Sequence, residues 1–254
     1  MISRLNEEVY DRQKRITGWN QERISEQRVL VVGAGALGNE VVKLLLQAGV
    51  NNITLVDFDS VEAANLNRCI FFEASDVGKT KAEVIAEKAV LINPRATIAP
   101  ILKKIEELPE EFYEGFGFAF SCLDSLGARL HLNAHCYAKA ALIDAGINGL
   151  MGKVQVTKAP SSCIECSVSE EDYKGMWKKY SCKGEPLDFL DPKTPALSTT
   201  NNVIAGVQAN EFVKLALGMP EKNTLVGRYL FYNGSTEEFR VYEVIKRRGC
   251  PVHL

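Results

Sequence analysis

The sequence lacks the features that place a chain in or on a membrane. None of its apolar runs approaches the ~20 residues that a membrane-spanning helix requires. The first residues, MISRLNEEVYDRQKR, are charged and have no apolar core of the kind found in signal peptides. Fixed-period repeats and low-complexity tracts are also missing, which excludes solenoid folds. We therefore expect a cytoplasmic protein that does not contact membranes.

An excess of charge of one sign is also lacking. Lysine and arginine number 30, aspartate and glutamate number 32, and the formal net charge is -2. Without a basic stripe there is no electrostatic reason to expect nucleic acid as a partner. Cysteine, in contrast, is present at seven positions. In a reducing cytoplasm these thiols are available as metal ligands or nucleophiles.

The chain is long enough for one large α/β domain. It has 254 residues, of which 46% are apolar. The run Arg28-Val-Leu-Val-Val predicts a buried parallel strand, and strands then alternate with helices as far as Asp144. This alternation predicts a Rossmann-like, mostly parallel sheet with helices on both faces. A last helix over Asn202–Leu217 and a small antiparallel pair over residues 228–245, turning at Asn233-Gly234, complete the expected fold.

We expect one domain made of four consecutive segments. These are a helical arm (residues 1–27), an α/β core (28–160), a crossover loop that contains three cysteines (161–198), and a helix followed by strands (199–254). The third segment is rich in Cys, Lys, Glu and Pro. Irregular segments of that length are usually functional or mobile.

A glycine-rich loop follows the first predicted strand. In the run GAGALG the glycines Gly33, Gly35 and Gly38 allow close approach of a phosphate, and Ala36 begins a helix whose free N–H groups attract anions. Asp57 ends the next strand, about 20 residues later, where a carboxylate can bind ribose hydroxyls. NAD-dependent oxidoreductases share this pattern. The loop therefore predicts a nucleotide without identifying it.

Polar residues beyond Asp57 favour a triphosphate over a nicotinamide. They follow successive strand ends, and carboxyl ends of parallel strands meet at one sheet edge. Cations there can stabilise departing pyrophosphate, and a carboxylate can hold Mg²⁺. Each residue also has a simpler interpretation. Asp59 would only cap the following turn, and Arg68 and Lys81 would be solvated surface cations. The residues concerned are Asp59, Asn65, Arg68, Lys81 and Asp124.

The ordered motifs resemble the adenylation domain that ubiquitin-activating enzymes share with ThiF, MoeB and HesA adenylyltransferases. The resemblance covers nearly the whole chain and looks closest to a minimal, single-domain enzyme that activates a ubiquitin-like protein. The motifs that carry it are Tyr10-Asp-Arg12-Gln13, the glycine loop from Gly33, Asp57-Phe-Asp59, Asn65-Leu-Asn-Arg68, Gly78-Lys-Thr-Lys81, Ile92-Asn-Pro94 and Cys122-Leu-Asp124.

The resemblance implies a reaction and a division of roles. ATP would adenylate the C-terminal glycine carboxylate of a small ubiquitin-like, β-grasp protein. Asp57 would hold the ribose, and Asp124 would bind Mg²⁺. Asn65, Arg68 and Lys81 would contact the phosphates.

The resemblance also implies a homodimer, because Arg12 would reach into the partner subunit's site. Two positions differ from the usual pattern of the family. Cys69 stands where glutamine is usual, and Ser125 stands where asparagine is usual. Both are neutral neighbours of the proposed charged groups, so we expect them to tune the site.

Four residues have the spacing of zinc ligands. Cys163-Ile-Glu-Cys166 and Cys250-Pro-Val-His253 form a C-x₂-C and C-x₂-H pair, and a Cys₃His set is an established tetrahedral zinc site. Such a zinc would tie the C-terminus to the start of the crossover loop. The alternative is a buried pair of free cysteines with a disordered tail.

The remaining cysteines include one candidate nucleophile. Cys122 and Cys136 fall in apolar patterns that predict core positions. Cys182 lies in the crossover loop beside Lys178, Lys179 and Lys183, and nearby positive charge lowers a thiol pKa. Cys182 is therefore predicted to accept the acyl group as a thioester and pass it to a conjugating enzyme. The alternative is an inert surface cysteine.

Three other functions remain open. The nearest is adenylation of a ThiS- or MoaD-like sulfur-carrier protein for thiocarboxylate formation. A second is a non-catalytic scaffold that binds a ubiquitin-like partner, although intact Arg68, Lys81 and Asp124 argue against it. A third is an adenylating relative that acts on tRNA, which the missing basic stripe disfavours.

Overall fold

A computed structural model describes residues 8–169, 171 and 195–253. Within these ranges eight strands form one sheet. In chain order they are β1 (Arg28–Val32), β2 (Asn52–Val56), β3 (Thr97–Ile101), β4 (Phe118–Ser121), β5 (Ala141–Asn148), β6 (Met151–Thr157), β7 (Arg228–Asn233) and β8 (Glu238–Glu243). Their spatial order is β3-β2-β1-β4-β5-β6-β7-β8.

Six α-helices accompany the strands in the described ranges. They are α1 (Asp11–Lys14), α2 (Gln21–Ser25), α3 (Ala36–Ala48), α4 (Lys81–Ala89), α5 (Leu126–Cys136) and α6 (Ser198–Ala216). Short 3₁₀ turns lie at Ala63–Asn65, Ala74–Asp76, Ile105–Glu107, Glu110–Tyr113, Ile164–Ser167 and Glu221–Asn223. None of the described helices is long and apolar enough to cross a bilayer.

The sheet is parallel on one side and antiparallel on the other. β1 pairs in parallel with both β2 and β4, and β4 pairs in parallel with β5. The chain runs from β1 outward to β3 and then returns to β4 on the other side of β1. This reversal opens a crevice at the carboxyl ends of β1 and β4, the place where open α/β sheets bind ligands.

Helices cover both faces of the sheet and bury two apolar cores. On one face α3 and α6 pack against each other and the strands, with Val41, Val42 and Phe212 fully buried. On the other face α5 covers the sheet and buries Leu132 and Tyr113. The predicted fold class, a Rossmann-like sheet with an antiparallel C-terminal part, is confirmed. The boundaries of the four predicted segments stay a prediction.

Two local predictions differ from the structure. The last helix begins at Ser198, four residues before the predicted start at Asn202, because its first turn is polar and gives no apolar periodicity. The hairpin does not turn tightly at Asn233-Gly234, since Asn233 still pairs with Glu238. Instead, the Asn233 side chain accepts a hydrogen bond from the Ser235 N–H at 3.0 Å. That bond supports a longer loop.

Close packing at the β1–α3 turn requires two glycines. Gly33 has a φ of 97°, and a Cβ there would lie 2.5 Å from the Cys122 carbonyl oxygen. A Cβ on Gly38 would lie 1.9 Å from the Gly33 carbonyl oxygen. The first turn of α3 therefore lies directly on the loop and aims its N–H groups at the crevice.

Gly38→Ala is expected to destabilise the protein by about 1–3 kcal/mol, the usual cost of overpacking. Gly206→Ala in α6 is the matched control, because no neighbouring atom lies within 4 Å of its Cβ position. Alanine is better than glycine inside a helix by roughly 1 kcal/mol. Thermal unfolding should show a lower Tm for the first variant only. An unchanged Tm for Gly38→Ala would contradict the close approach.

Candidate nucleotide site and metal cluster

The glycine loop is fixed to the end of the next strand by Asp57. One oxygen of its carboxylate accepts a hydrogen bond from the Ala34 N–H at 2.6 Å, and the other accepts from the Asp59 N–H at 2.8 Å. Burial raises the pKa of Asp57, whereas the Ala34 hydrogen bond and the charge of Lys81 act to lower it. A carboxylate has about four acceptor positions, so the group retains capacity for ribose hydroxyls.

A buried lysine lies beside these carboxylates. Lys81 begins α4, and its Nζ lies 2.7 Å from an Asp59 carboxylate oxygen. Its backbone N–H donates to the Asp59 carbonyl at 2.9 Å. Asp59 is half exposed, whereas the Lys81 side chain is only 10% exposed. A phosphate entering the crevice would therefore meet a cation whose position is already fixed.

The segment that carries Arg68 is held by its own hydrogen bonds. The buried Asn65 side chain accepts from the Glu62 N–H at 2.9 Å and caps its own turn. The Arg68 guanidinium donates to the Ala64 carbonyl and, at 3.0 Å, to the Asn67 side chain. In this structure Arg68 is thus turned back on its own segment.

The two departures from the usual family pattern have distinct environments. Cys69 is buried next to Arg68, and burial raises its thiol pKa to about 11. The thiol is therefore neutral at physiological pH. Ser125 is the N-cap of α5 and accepts from the Ala128 N–H at 3.5 Å. Serine and asparagine are both preferred at helix N-caps, which explains why either residue serves there.

Asp124 lies on the exposed side of the same crevice. The chain leaves β4 at Cys122, whose N–H donates to the Val32 carbonyl of β1 at 2.9 Å, and Asp124 follows two residues later. Its carboxyl group is exposed. Exposed carboxylate oxygens suit Mg²⁺, which keeps several waters when bound, so Asp124 fits the predicted ligand. Its role, like those of the other predicted ATP-site residues, stays a prediction.

Two buried polar contacts near the site have no counterpart in the sequence analysis. Arg129 of α5 binds both carboxylate oxygens of Asp144, which is 1% exposed; the Nε–Oδ1 distance is 2.8 Å. This ion pair ties α5 to the middle of β5, where Asp144 pairs with Ser121 at the end of β4. Asn39, buried in α3, bonds to the glycine loop and to the segment after Arg68. The sequence carried one signal for each contact. Asn39 interrupts the apolar pattern of α3, and Asp144 interrupts the apolar run of β5.

Arg12 does not lie near the crevice of its own chain. The neighbouring Gln13 side chain donates to the Ala48 carbonyl at 3.0 Å, at the C-terminal end of α3. The glycine loop is at the other end of this helix of 13 residues. At ~1.5 Å per residue the helix spans about 20 Å, farther than an arginine side chain extends.

The four predicted zinc ligands come together. Cys163 Sγ lies 3.9 Å from Cys166 Sγ and 3.7 Å from Cys250 Sγ, and Cys166 Sγ lies 3.0 Å from His253 Nε2. Zinc–sulfur bonds of ~2.3 Å place tetrahedral sulfur ligands about 3.8 Å apart. The donor set and its spacing therefore fit zinc, which would tie the C-terminus to the start of the crossover segment.

The surroundings favour a thiolate at Cys166, whereas burial raises the thiol pKa of the neighbouring Cys163 to about 12. Burial opposes ionisation of Cys166, but hydrogen bonds from the N–H groups of Arg247 and Cys163 lower its thiol pKa. The Arg247 N–H lies 3.4 Å from the sulfur. Thiolate is the form that binds metal. His131 and His135 lie elsewhere and pack against the Tyr113 ring.

Cys182 lies outside the described residues. Within them, the cysteines beyond the metal cluster are Cys69, Cys122 and Cys136. Burial raises the thiol pKa of all three, to about 12 for Cys136. Neutral buried thiols are poor nucleophiles, so none of these three replaces Cys182 as the candidate.

Comparison with known proteins places the chain among adenylating enzymes. Residues 10–252 match the ThiF family. The chain is 30% identical to the molybdopterin-synthase adenylyltransferase of Salmonella typhimurium, over 96% of this chain and 94% of that protein. It is 34% identical to the NEDD8-activating enzyme E1 catalytic subunit of Schizosaccharomyces pombe, over 89% of this chain and 69% of that protein.

Solved structures show the same fold. Escherichia coli MccB, crystallised with ATP, superposes with a TM-score of 0.75 at 22% identity, over 92% of this chain and 68% of MccB. The fold and the crevice define a nucleotide-binding α/β protein of the Rossmann-like class. The chain belongs to the ThiF family, and it is an ATP-dependent adenylyltransferase.

The purified protein is expected to contain about one zinc per chain. Cys250→Ser should lose most of this zinc and lower the Tm, because one of three sulfur ligands is removed. Cys122→Ser is the control, since that thiol lies outside the cluster. Metal content by mass spectrometry and thermal unfolding measure both effects. Full zinc content in Cys250→Ser would contradict the assignment.

Proposed function

We propose that the protein adenylates the C-terminal carboxylate of a small ubiquitin-like carrier protein. The observation that carries the proposal is one connected edge of the sheet. There the glycine loop bonds to Asp57, Asp57 bonds to Asp59, and Asp59 pairs with the buried Lys81. Such an edge combines a ribose acceptor, phosphate-binding N–H groups and a fixed cation.

The first step is nucleophilic displacement at phosphorus. A carboxylate oxygen of the carrier attacks the α-phosphorus, the α–β phosphoanhydride bond breaks, and pyrophosphate leaves. Lys81 is fixed at the edge and stabilises the charge that develops on the leaving group. Arg68, whose guanidinium donates to its own segment in the structure, would turn toward the phosphates to do the same. The carrier carboxylate is already ionised, so the protein needs no strong base and acts mainly by positioning.

Magnesium would be held by Asp124. The metal would neutralise charge on the triphosphate and orient pyrophosphate for departure. Asp124 itself keeps an exposed carboxylate at the crevice, beyond the point where Cys122 hydrogen-bonds to β1.

The second step is transfer to Cys182. The thiolate attacks the carbonyl carbon of the acyl-adenylate, a carbon–sulfur bond forms, the carbon–oxygen bond breaks, and AMP leaves. The three lysines near Cys182 in the sequence support thiolate formation. A conjugating enzyme would then receive the acyl group.

The free edge of the sheet offers a surface for the carrier. No strand of the described ranges pairs with the outer edge of β8, so its backbone can pair with a strand of another protein. Phe239, Val241 and Tyr242 on this strand are exposed. Clustered exposed apolar side chains mark protein-binding surfaces, and a β-grasp carrier can supply both a strand and an apolar face.

A second candidate substrate is a sulfur-carrier protein of the ThiS or MoaD kind. A relative that matches nearly end to end is a molybdopterin-synthase adenylyltransferase, which favours this candidate. With it, adenylation would be unchanged and thiocarboxylate formation would replace the thioester on Cys182. The non-catalytic scaffold that the sequence left open is not supported, because the chain is an ATP-dependent adenylyltransferase.

ATP–pyrophosphate exchange is expected only in the presence of the correct carrier. With a ubiquitin-like carrier, a non-reducing gel should show a thiol-sensitive adduct that Cys182→Ala abolishes while exchange continues. Cys136→Ala is the control cysteine, because Cys136 is buried in the core. Exchange without an adduct would contradict the thioester and favour a sulfur carrier. Tight ATP binding without exchange for any carrier would contradict adenylation of either kind of carrier protein.

Arg12 is proposed to act in the partner's site of a homodimer. Arg12→Ala and Arg68→Ala should each abolish most exchange activity. Mixed one to one and allowed to re-equilibrate, they should recover about one quarter of wild-type activity, since half the dimers are mixed and each mixed dimer has one intact site. No recovery, despite subunit exchange shown by labelled chains, would contradict action in trans.

A further inference from the structure

A buried side chain joins two parts of the nucleotide site. Asn39 lies in α3 with no exposed surface. Its amide nitrogen donates to the carbonyls of Ala34 and Gly35 at 2.8 and 3.0 Å. Its amide oxygen accepts from the Phe71 N–H at 3.1 Å. One amide therefore links the glycine loop to the segment that carries Arg68.

The Ala34 peptide group is held from both sides. Its N–H donates to the Asp57 carboxylate, and its carbonyl accepts from Asn39. These hydrogen bonds form a continuous series from the Asp57 carboxylate, through the glycine loop, to the residues that follow Arg68. Lengthening any of these hydrogen bonds would change the distance between the loop and Arg68.

The hydrogen-bonding pattern requires an amide. An asparagine side chain can donate two hydrogen bonds and accept one. An aspartate carboxylate cannot donate a hydrogen bond, and a leucine side chain can neither donate nor accept one. Asparagine is an unfavourable residue inside a helix because its side chain competes for backbone groups. Its presence in α3 is therefore explained by these three bonds and not by helix propensity.

We propose that Asn39 is a positioning residue for the triphosphate of ATP. It holds the glycine loop and the Arg68 segment at the separation at which both contact one triphosphate. The proposal rests on the proposed adenylation reaction, but it concerns MgATP binding alone. Asn39 touches no substrate; it acts through Ala34, Gly35 and Phe71.

The chain offers a matched control at the opposite edge of the sheet. Asn93 is also buried, donates to the Val50 carbonyl at 3.2 Å and to the Asn51 side chain at 3.3 Å, and accepts from the Arg95 N–H at 3.1 Å. It lies beside the amino ends of β2 and β3. Asn39→Leu and Asn93→Leu therefore remove the same number of hydrogen bonds.

Both variants are expected to lower the Tm, but only Asn39→Leu should weaken MgATP binding, by about ten- to a hundredfold, as misplaced groups do. Titration calorimetry with MgATP measures this without a carrier. Asn39→Ser, which is smaller, replaces Asn39→Leu if the latter does not fold. Binding equal to that of Asn93→Leu would overturn the proposal.

A double-mutant cycle separates positioning from general destabilisation. If Asn39 acts through the Arg68 segment, Asn39→Leu should weaken MgATP binding far less in an Arg68→Ala background than in wild type. Fully additive effects would overturn the proposal. Wild-type MgATP binding without exchange would instead count against the adenylation reaction and leave this test intact.

Discussion

The close approach of helix α3 to the end of strand β1 is the constraint on which the nucleotide site depends. Gly38 lies against the Gly33 carbonyl, where no Cβ fits. Because the helix docks directly on the turn, its free N–H groups are aimed at the crevice between β1 and β4. Asp57 then bonds to Ala34 within the turn. A looser turn would separate Asp57, the proposed ribose acceptor, from the N–H groups that are proposed to bind phosphate.

Charged side chains near the crevice form ion pairs. Lys81 is buried beside Asp59, and Arg129 is paired with the buried Asp144. Buried ion pairs contribute little net stability, since desolvation offsets their attraction. Their value here is positional. Arg129 fixes helix α5, at whose start Asp124 lies, and Lys81 keeps a cation where phosphate would bind.

The Cys₃His cluster lies at the start of the crossover segment. Cys163 and Cys166 belong to this segment, and Cys250 and His253 bring the C-terminus to them. At the other end of that segment, the Pro195 carbonyl accepts from the Gly149 N–H at 2.9 Å. Both described ends of the segment are thus anchored near the β5–β6 hairpin. A long segment with fixed ends costs less entropy to order than one with a free end.

Features that depend on near neighbours could be predicted from the sequence. Alternating strands and helices, the glycine loop with Asp57, and the two metal-ligand pairs are each legible within a few residues, because periodicity and spacing are local properties. The contacts between distant groups became visible only in the folded chain. Asn39 bonds to Phe71, 32 positions away, and Arg129 finds Asp144 across a helix–strand packing. The fold also places Arg12 at the far end of α3. Such contacts depend on chain paths through space, which no local pattern encodes.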